Sequence, residues 1–248
     1  MNKLVTFIFF NFIIAVFPAK IKAQTKSVKS VQQIWLGYMS STRLIEHYSW
    51  WNDFHYVPQG FFVARTGLTR HIKNVNVTAG YAFLLLPAYP GSSQLLRNEH
   101  RPWAELNFSL PVSKSIQFIQ RYRYEARFKQ NVRDSAVTDG YTFTNRARLF
   151  LGLRKNFKLH DRPQITPFIL VADKLMVNFG DWVTYNAFDQ NRLLISQGIQ
   201  KGNTQYQLSY MNRFVQTGVS EFTENRTICF WVTQKFSLQK RKSILPKP

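Results

Sequence analysis

Apolar and polar residues alternate with a period of two along most of the chain. Between Ser115 and Lys129, Ile116, Phe118, Gln120, Tyr122, Tyr124, Ala126 and Phe128 share one face. Gln117, Ile119, Arg121, Arg123, Glu125, Arg127 and Lys129 share the other. Side chains of a strand point alternately to opposite sides of its sheet, so the pattern predicts a β-strand. Residues 142–155 repeat it: Phe143, Asn145, Ala147, Leu149, Leu151 and Leu153 stand against Thr144, Arg146, Arg148, Phe150, Gly152 and Arg154. Comparable segments run over 34–40, 43–56, 60–71, 74–85, 101–110, 165–176, 188–200, 203–213 and 227–238, which makes eleven in all. The alternation lapses between Phe83 and Leu86.

The two clearest segments are longer than an ordinary strand and fit a tilted strand that crosses a bilayer. An arginine on the lipid face at mid-bilayer costs roughly 2–4 kcal/mol, so Arg121, Arg123 and Arg127 must point inward. Tyr122, Tyr124 and Phe128 then point outward. After Gln24 no stretch approaches the roughly 20 apolar residues of a membrane-spanning helix. A chain that crosses lipid without such helices must close its sheet, because only helices and closed barrels satisfy every backbone group there. The predicted class is therefore all-β, a closed antiparallel up-and-down transmembrane β-barrel of ten to twelve strands.

Short connections fall at Lys73, at 111–114 and at 201–203, and longer ones cover about 87–100, 130–141, 177–187 and 214–226. Bacterial barrels pair short periplasmic turns with longer outer loops and use an even strand number. Segment 34–40 breaks that parity, since it would start on the outer side. The expectation is ten strands with 34–40 as a partial strand or plug, or twelve with one missed. Lys73, Lys114 and Lys201 put the basic side with the short turns. Aromatic residues near segment ends, Trp35, Trp50, Trp51, Phe61, Phe62, Trp103, Phe143, Trp182 and Tyr185, are expected to form interfacial girdles.

Composition adds a destination. Lys3, an apolar run over 4–17, Pro18 and the small-residue site at Ala23 have the order of a secretory leader. The domain reading is a leader over 1–23, a barrel over 24–238 and a basic tail over 239–248, placed in a bacterial outer membrane. Cys229 is the only cysteine, which excludes a disulfide framework and a cysteine-rich metal site. The net charge is +20. Such charge often marks nucleic-acid binding. An exported barrel instead points to outer-membrane lipids with anionic head groups, or to small anionic solutes. No cofactor is implied.

The stretches Arg-Pro-Trp-Ala-Glu-Leu (101–106), Arg-Tyr-Arg-Tyr-Glu-Ala-Arg-Phe (121–128), Asn-Arg-Ala-Arg-Leu (145–149), Asp-Gln-Asn-Arg-Leu (189–193) and Tyr-Gln-Leu-Ser-Tyr-Met (206–211) together resemble domain-of-unknown-function family 2490, outer-membrane barrels of Bacteroidetes-type bacteria. The resemblance covers nearly the whole mature chain. It implies an outer-membrane location and a barrel, and no activity. Lys174 departs from it, since members often carry an acidic residue there, and so does the basic tail after Leu238.

Candidate chemistry collects on the inward face: Glu105, Arg121, Arg123, Glu125, Arg127, Arg146, Arg148 and Arg192. Neighbouring strands bring such groups within about 5 Å. One reading is an interior polar network that fills a narrow barrel. The other is an anion site or anion-selective lumen, because rings of charge set selectivity in pores. Catalysis has little support. His47, His55, His71, His100 and His160 form no metal-type pair and lie in no nucleophile motif. Arginines beside Glu105 and Glu125 would keep both ionised, which ill suits a general acid. The functional expectation is a structural or channel-like outer-membrane barrel with an arginine-rich lumen. The alternative is a barrel enzyme acting on envelope lipid or glycan.

Overall fold

A computed structural model describes residues 26–89, 95–183 and 185–238. The predicted leader and basic tail lie outside these residues. The described chain is one sheet of eleven strands with no helix: β1 (Ser27–Ile45), β2 (Tyr48–Val57), β3 (Phe61–Ile72), β4 (Val75–Pro87), β5 (Leu96–Pro111), β6 (Ile116–Arg133), β7 (Ala136–Asn156), β8 (Ile165–Phe179), β9 (Phe188–Lys201), β10 (Thr204–Gln216) and β11 (Glu221–Ser237). Each strand pairs antiparallel with its sequence neighbours, and β1 closes the barrel against β11.

Eleven strands and closure fall inside the expected range, but the even-number expectation fails. Segment 34–40 is neither partial nor a plug; it is the centre of β1, a 19-residue strand. With an odd number of up-and-down strands, the first and last run the same way. The closing pair is accordingly parallel, in unbroken register from Ser27↔Glu221 to Arg43↔Ser237. The start of β1 therefore shares an end of the barrel with the 180–187 and 217–220 connections, and β11 finishes at the opposite end.

The connections are also more even than expected. The stretch 130–141 is no long loop: β6 and β7 extend through it to a two-residue turn at Asp134 and Ser135, whose φ values are 48° and 59°. Two successive left-handed residues match the right-handed twist of a hairpin. At the opposite end, 157–164 is as long as any connection on the first.

Outward positions carry apolar and aromatic side chains, among them Trp50, Phe54, Leu68, Tyr122, Tyr124, Ile169, Leu193, Ile195, Tyr210 and Phe230, all exposed. The exposed Asp173 in the middle of β8 interrupts this surface, and Asn191 Nδ2 donates to it at 2.7 Å. Several aromatics assigned to a girdle lie inside instead. Trp35 and Trp103 are buried, and Phe61 and Trp51 pack against the interior apolar clusters. Their place near strand ends suggested the interface; their parity along the strand decides the face.

Barrel width explains the interior. Eleven strands spaced about 4.8 Å apart and tilted about 40° enclose a backbone radius of roughly 11 Å. Eight strands are just filled by their own side chains, so eleven leave space. That space is a cavity of about 460 Å³, lined at one end by Gln205 and Thr233 and at the other by Leu86 and Val215. Backbone crowding limits some inward positions. A Cβ on Gly80 would strike the Thr66 carbonyl, and one on Gly67 would approach the Trp103 ring.

A closed ladder has no edge to fray. Unboiled protein in mild detergent is expected to migrate differently on a detergent gel from boiled protein, and Gly80→Val to lower the folded fraction. Identical migration before and after boiling would contradict closure.

Candidate functional site

The interior side chains divide into a neutralised half and an uncompensated half. The first is built on β5, β6 and β7. Register sets Arg123 directly opposite both Glu105 and Arg148, and Glu125 opposite Arg146. Glu99, fully buried, accepts from Arg101 Nε and Arg127 Nε, each at 2.6 Å. Glu105 accepts from Arg123 Nε at 2.6 Å, with Arg121 3.7 Å away. Glu125 accepts from Arg146 Nε at 2.9 Å and Arg148 Nη2 at 2.7 Å, and Arg101 and Arg123 stand 3.8 and 3.9 Å away. Asp189 on β9 extends the network, taking Arg146 Nη1 at 2.9 Å and Asn178 Nδ2 at 3.1 Å. Planar guanidinium forks allow each carboxylate to be shared in this way.

A smaller network lies on β2 and β3. Arg65 grips Asp53 through Nε at 2.8 Å and Nη2 at 2.7 Å. Trp35 Nε1 donates to His55 Nδ1 at 2.9 Å, which leaves the imidazole proton on Nε2, facing Asp53 Oδ2 at 3.3 Å. Both ring nitrogens are engaged, and His55 is held rather than poised for chemistry.

The second half has no such compensation. Lys174 on β8 lies directly opposite Arg192 on β9, and Arg192 lies directly opposite Arg213 on β10. Three lumen-side cationic residues thus form one row across adjacent strands, with neighbouring Cβ atoms about 5 Å apart. Among the described residues none of the three has a carboxylate within ion-pair distance. Arg192 Nε donates to Gln190 Oε1 at 2.9 Å, while Arg213 Nε and Nη1 are buried without a hydrogen-bond partner. Each cation stands over an aromatic ring: Lys174 over Phe150 at 5.6 Å, Arg192 over Trp35 at 5.0 Å, and Arg213 over Phe61 at 5.6 Å. Arg121 covers Phe150 from its other neighbour strand at 4.7 Å. Eleven lysine and arginine side chains line the cavity against three carboxylates, Asp53, Glu105 and Asp189. No cluster with the makings of a metal site occurs among the described residues.

All eight residues singled out from the sequence therefore point into the barrel. Glu105, Arg121, Arg123, Glu125, Arg127, Arg146 and Arg148 join one network, and Arg192 stands apart in the row. Sequence reasoning missed Asp53, Arg65, Glu99, Arg101, Asp189 and Arg213 as members. Asp53, Arg65, Arg101 and Arg213 have the inward parity of their segments, whereas Glu99 lies in the stretch expected to be a loop and Asp189 sits out of parity at a register shift of β9. Only register shows whom each meets. Lys174 entered as a departure from a resemblance; its place opposite Arg192 gives it meaning.

Another arrangement bears on catalysis. Ser49 Oγ lies 2.8 Å from His71 Nε2, and His71 Nδ1 lies 2.7 Å from Asn76 Oδ1. Hydroxyl, imidazole and amide follow the order of nucleophile, base and orienting group. Ser49 is 2% exposed and does not line the cavity.

The carboxylates at the centre carry the network. Glu125→Gln would leave Arg146 and Arg148 short of their counter-charge, and removing one member of a desolvated pair costs about 3–5 kcal/mol. Its melting temperature is expected to fall well below that of Arg226→Gln, which breaks only an exposed, solvent-screened pair. Equal melting temperatures would show the interior to be wet enough to screen the network.

No curated protein matches the chain in sequence. The profile of one family, described as Protein of unknown function (DUF2490), matches residues 32–223, from the first half of β1 to the start of β11. A match over that length, on a barrel that its residues almost wholly build, assigns the chain to the DUF2490 family.

Proposed function

We propose that this barrel resides in a bacterial outer membrane and that its cationic interior binds and admits small anionic solutes. The outward face supports the location: rings and aliphatic side chains cover a surface that water alone would not favour. The observation that carries the anion reading is the Lys174–Arg192–Arg213 row. Like charges directly opposite one another in a sheet repel. Here no carboxylate lies within ion-pair distance of any of the three, and Asp189 offsets Arg192 and Arg213 only from farther off, whereas five carboxylates pair with arginines elsewhere in the barrel. An anion drawn from solution relieves all three. The lining also reaches both ends of β10, through Gln205 and Val215, as a path along the axis requires.

The Ser49–His71–Asn76 chain favours a second reading, a hydrolase acting on envelope lipid. Its serine is enclosed, so the solute reading stands as the conclusion. A fluorophosphonate probe separates the two: labelling of the native barrel that disappears in Ser49→Ala would favour the enzyme.

Two experiments test the main reading. In planar bilayers under a salt gradient, the reversal potential should show preference for chloride over potassium, and Lys174→Glu should shift it toward potassium. The same substitution places a carboxylate opposite Arg192, so it is expected to raise the melting temperature. Cation preference in the parent protein would overturn the proposal. For location and orientation, single cysteines in a Cys229→Ser background at Asp139 and at Lys201, near opposite ends, should differ in reaction with an impermeant reagent on intact cells. One of the two is expected to react and the other to stay protected. Reaction at neither site would remove the outer-membrane assignment.

A further inference from the structure

We propose that the solute held at the cationic row is amphiphilic: one carboxylate or phosphate group carried on an apolar ring or chain. This rests on the anion reading above and adds what lies beside the charge. Each cation of the row stands on a ring face, that of Phe150, Trp35 or Phe61, and none has a carboxylate within ion-pair distance. A cation over a ring face spends little of its hydrogen-bonding capacity there, so its remaining N–H groups stay available to an anion.

The row adjoins an apolar wall. Trp35 and Phe150 belong to one buried cluster with Leu170, Leu194 and Met211, and all five line the cavity. Leu194 follows Arg192 by two residues on the same face of β9, and Met211 precedes Arg213 by two on the same face of β10. On both strands the charged position and the apolar one are therefore one inward step apart, about 7 Å. A small hydrated anion would use the cations and leave the wall in contact with water. A molecule with a charged head at Arg192 and an apolar body against Leu194 and Met211 would use both. The cavity, about 460 Å³, falls within the roughly 300–1,000 Å³ typical of small-molecule sites, which are mostly apolar with a few placed polar groups.

The test uses the full-length protein in phosphatidylcholine nanodiscs, with empty nanodiscs as the partition blank. Binding is measured by calorimetry for 2-naphthoate, for acetate and inorganic phosphate as charged probes without an apolar body, and for 2-naphthylmethanol as the uncharged counterpart. Naphthoate is expected to bind at least about tenfold tighter than each of the other three, as burial of an aromatic body together with a charge pair predicts. Lys174→Glu, whose folding is checked by its gel migration, should weaken naphthoate about tenfold or more. Leu194→Asn should weaken naphthoate and leave phosphate unchanged. Phosphate binding as tightly as naphthoate would overturn the amphiphile and keep the anion reading. Naphthylmethanol binding as tightly would show a merely apolar cavity. Naphthoate unaffected by Lys174→Glu would place the ligand elsewhere. Absence of binding by all three anions would remove both proposals.

Discussion

Closure of an odd-stranded sheet is the constraint on which the rest of this structure depends. Strands that alternate in direction can close antiparallel only when their number is even. Eleven forces one parallel seam, between β1 and β11. Parallel pairing is slightly weaker per residue, and here the seam extends from Ser27↔Glu221 to Arg43↔Ser237 with no bulge. Length offsets the weaker geometry. Without that seam the sheet would present two long edges, each a template for aggregation. With it, every strand has two neighbours, and an interior separated from the outside exists.

That interior concentrates charge, because alternation sends the arginines of several strands into one volume. Two solutions coexist within it. On β5 to β7, Glu99 serves two arginines, Glu105 serves Arg123 with Arg121 nearby, and Glu125 lies among four. Such sharing satisfies many donors with few carboxylates, and it binds neighbouring strands across the barrel wall. On β8 to β10, Lys174, Arg192 and Arg213 rest on rings with no carboxylate in ion-pair distance. The first arrangement holds the barrel's shape; the second leaves positive potential directed at the cavity.

Much of the fold was legible because a period of two is robust. Eleven segments were found, and eleven strands formed. The inward direction of Arg121, Arg123 and Arg127 followed from cost alone. Parity of strand number was misjudged because a general tendency among bacterial barrels was set against the count of segments, and the count was right. The stretch 130–141 has the polar, Gly-containing composition of a loop, and that composition hides a hairpin that projects past its neighbours. The aromatic girdle was overassigned because nearness to a strand end was weighed above face: Trp35, Trp51, Phe61 and Trp103 have the parity of interior residues. In the site, Glu105 and Glu125 could be matched with arginines on adjacent strands. The row of Lys174, Arg192 and Arg213 could not, since it depends on the register of three strands at once, and register is not written in any one of them.

The row also departs from the consistency of everything around it. Local alternation, hairpin chemistry and the carboxylate network all favour the same folded state. Three cations in direct cross-strand register do not, and replacing any of them with a neutral residue of the same parity would serve the barrel better. Places where a sequence breaks a rule that it keeps elsewhere are where function is to be sought. Here the departure has a definite sign and position: excess positive charge, on rings, beside an apolar wall, within a cavity that the strand number itself creates. Those four properties specify a ligand's charge, shape and location more narrowly than the fold does, since a barrel by itself serves many functions.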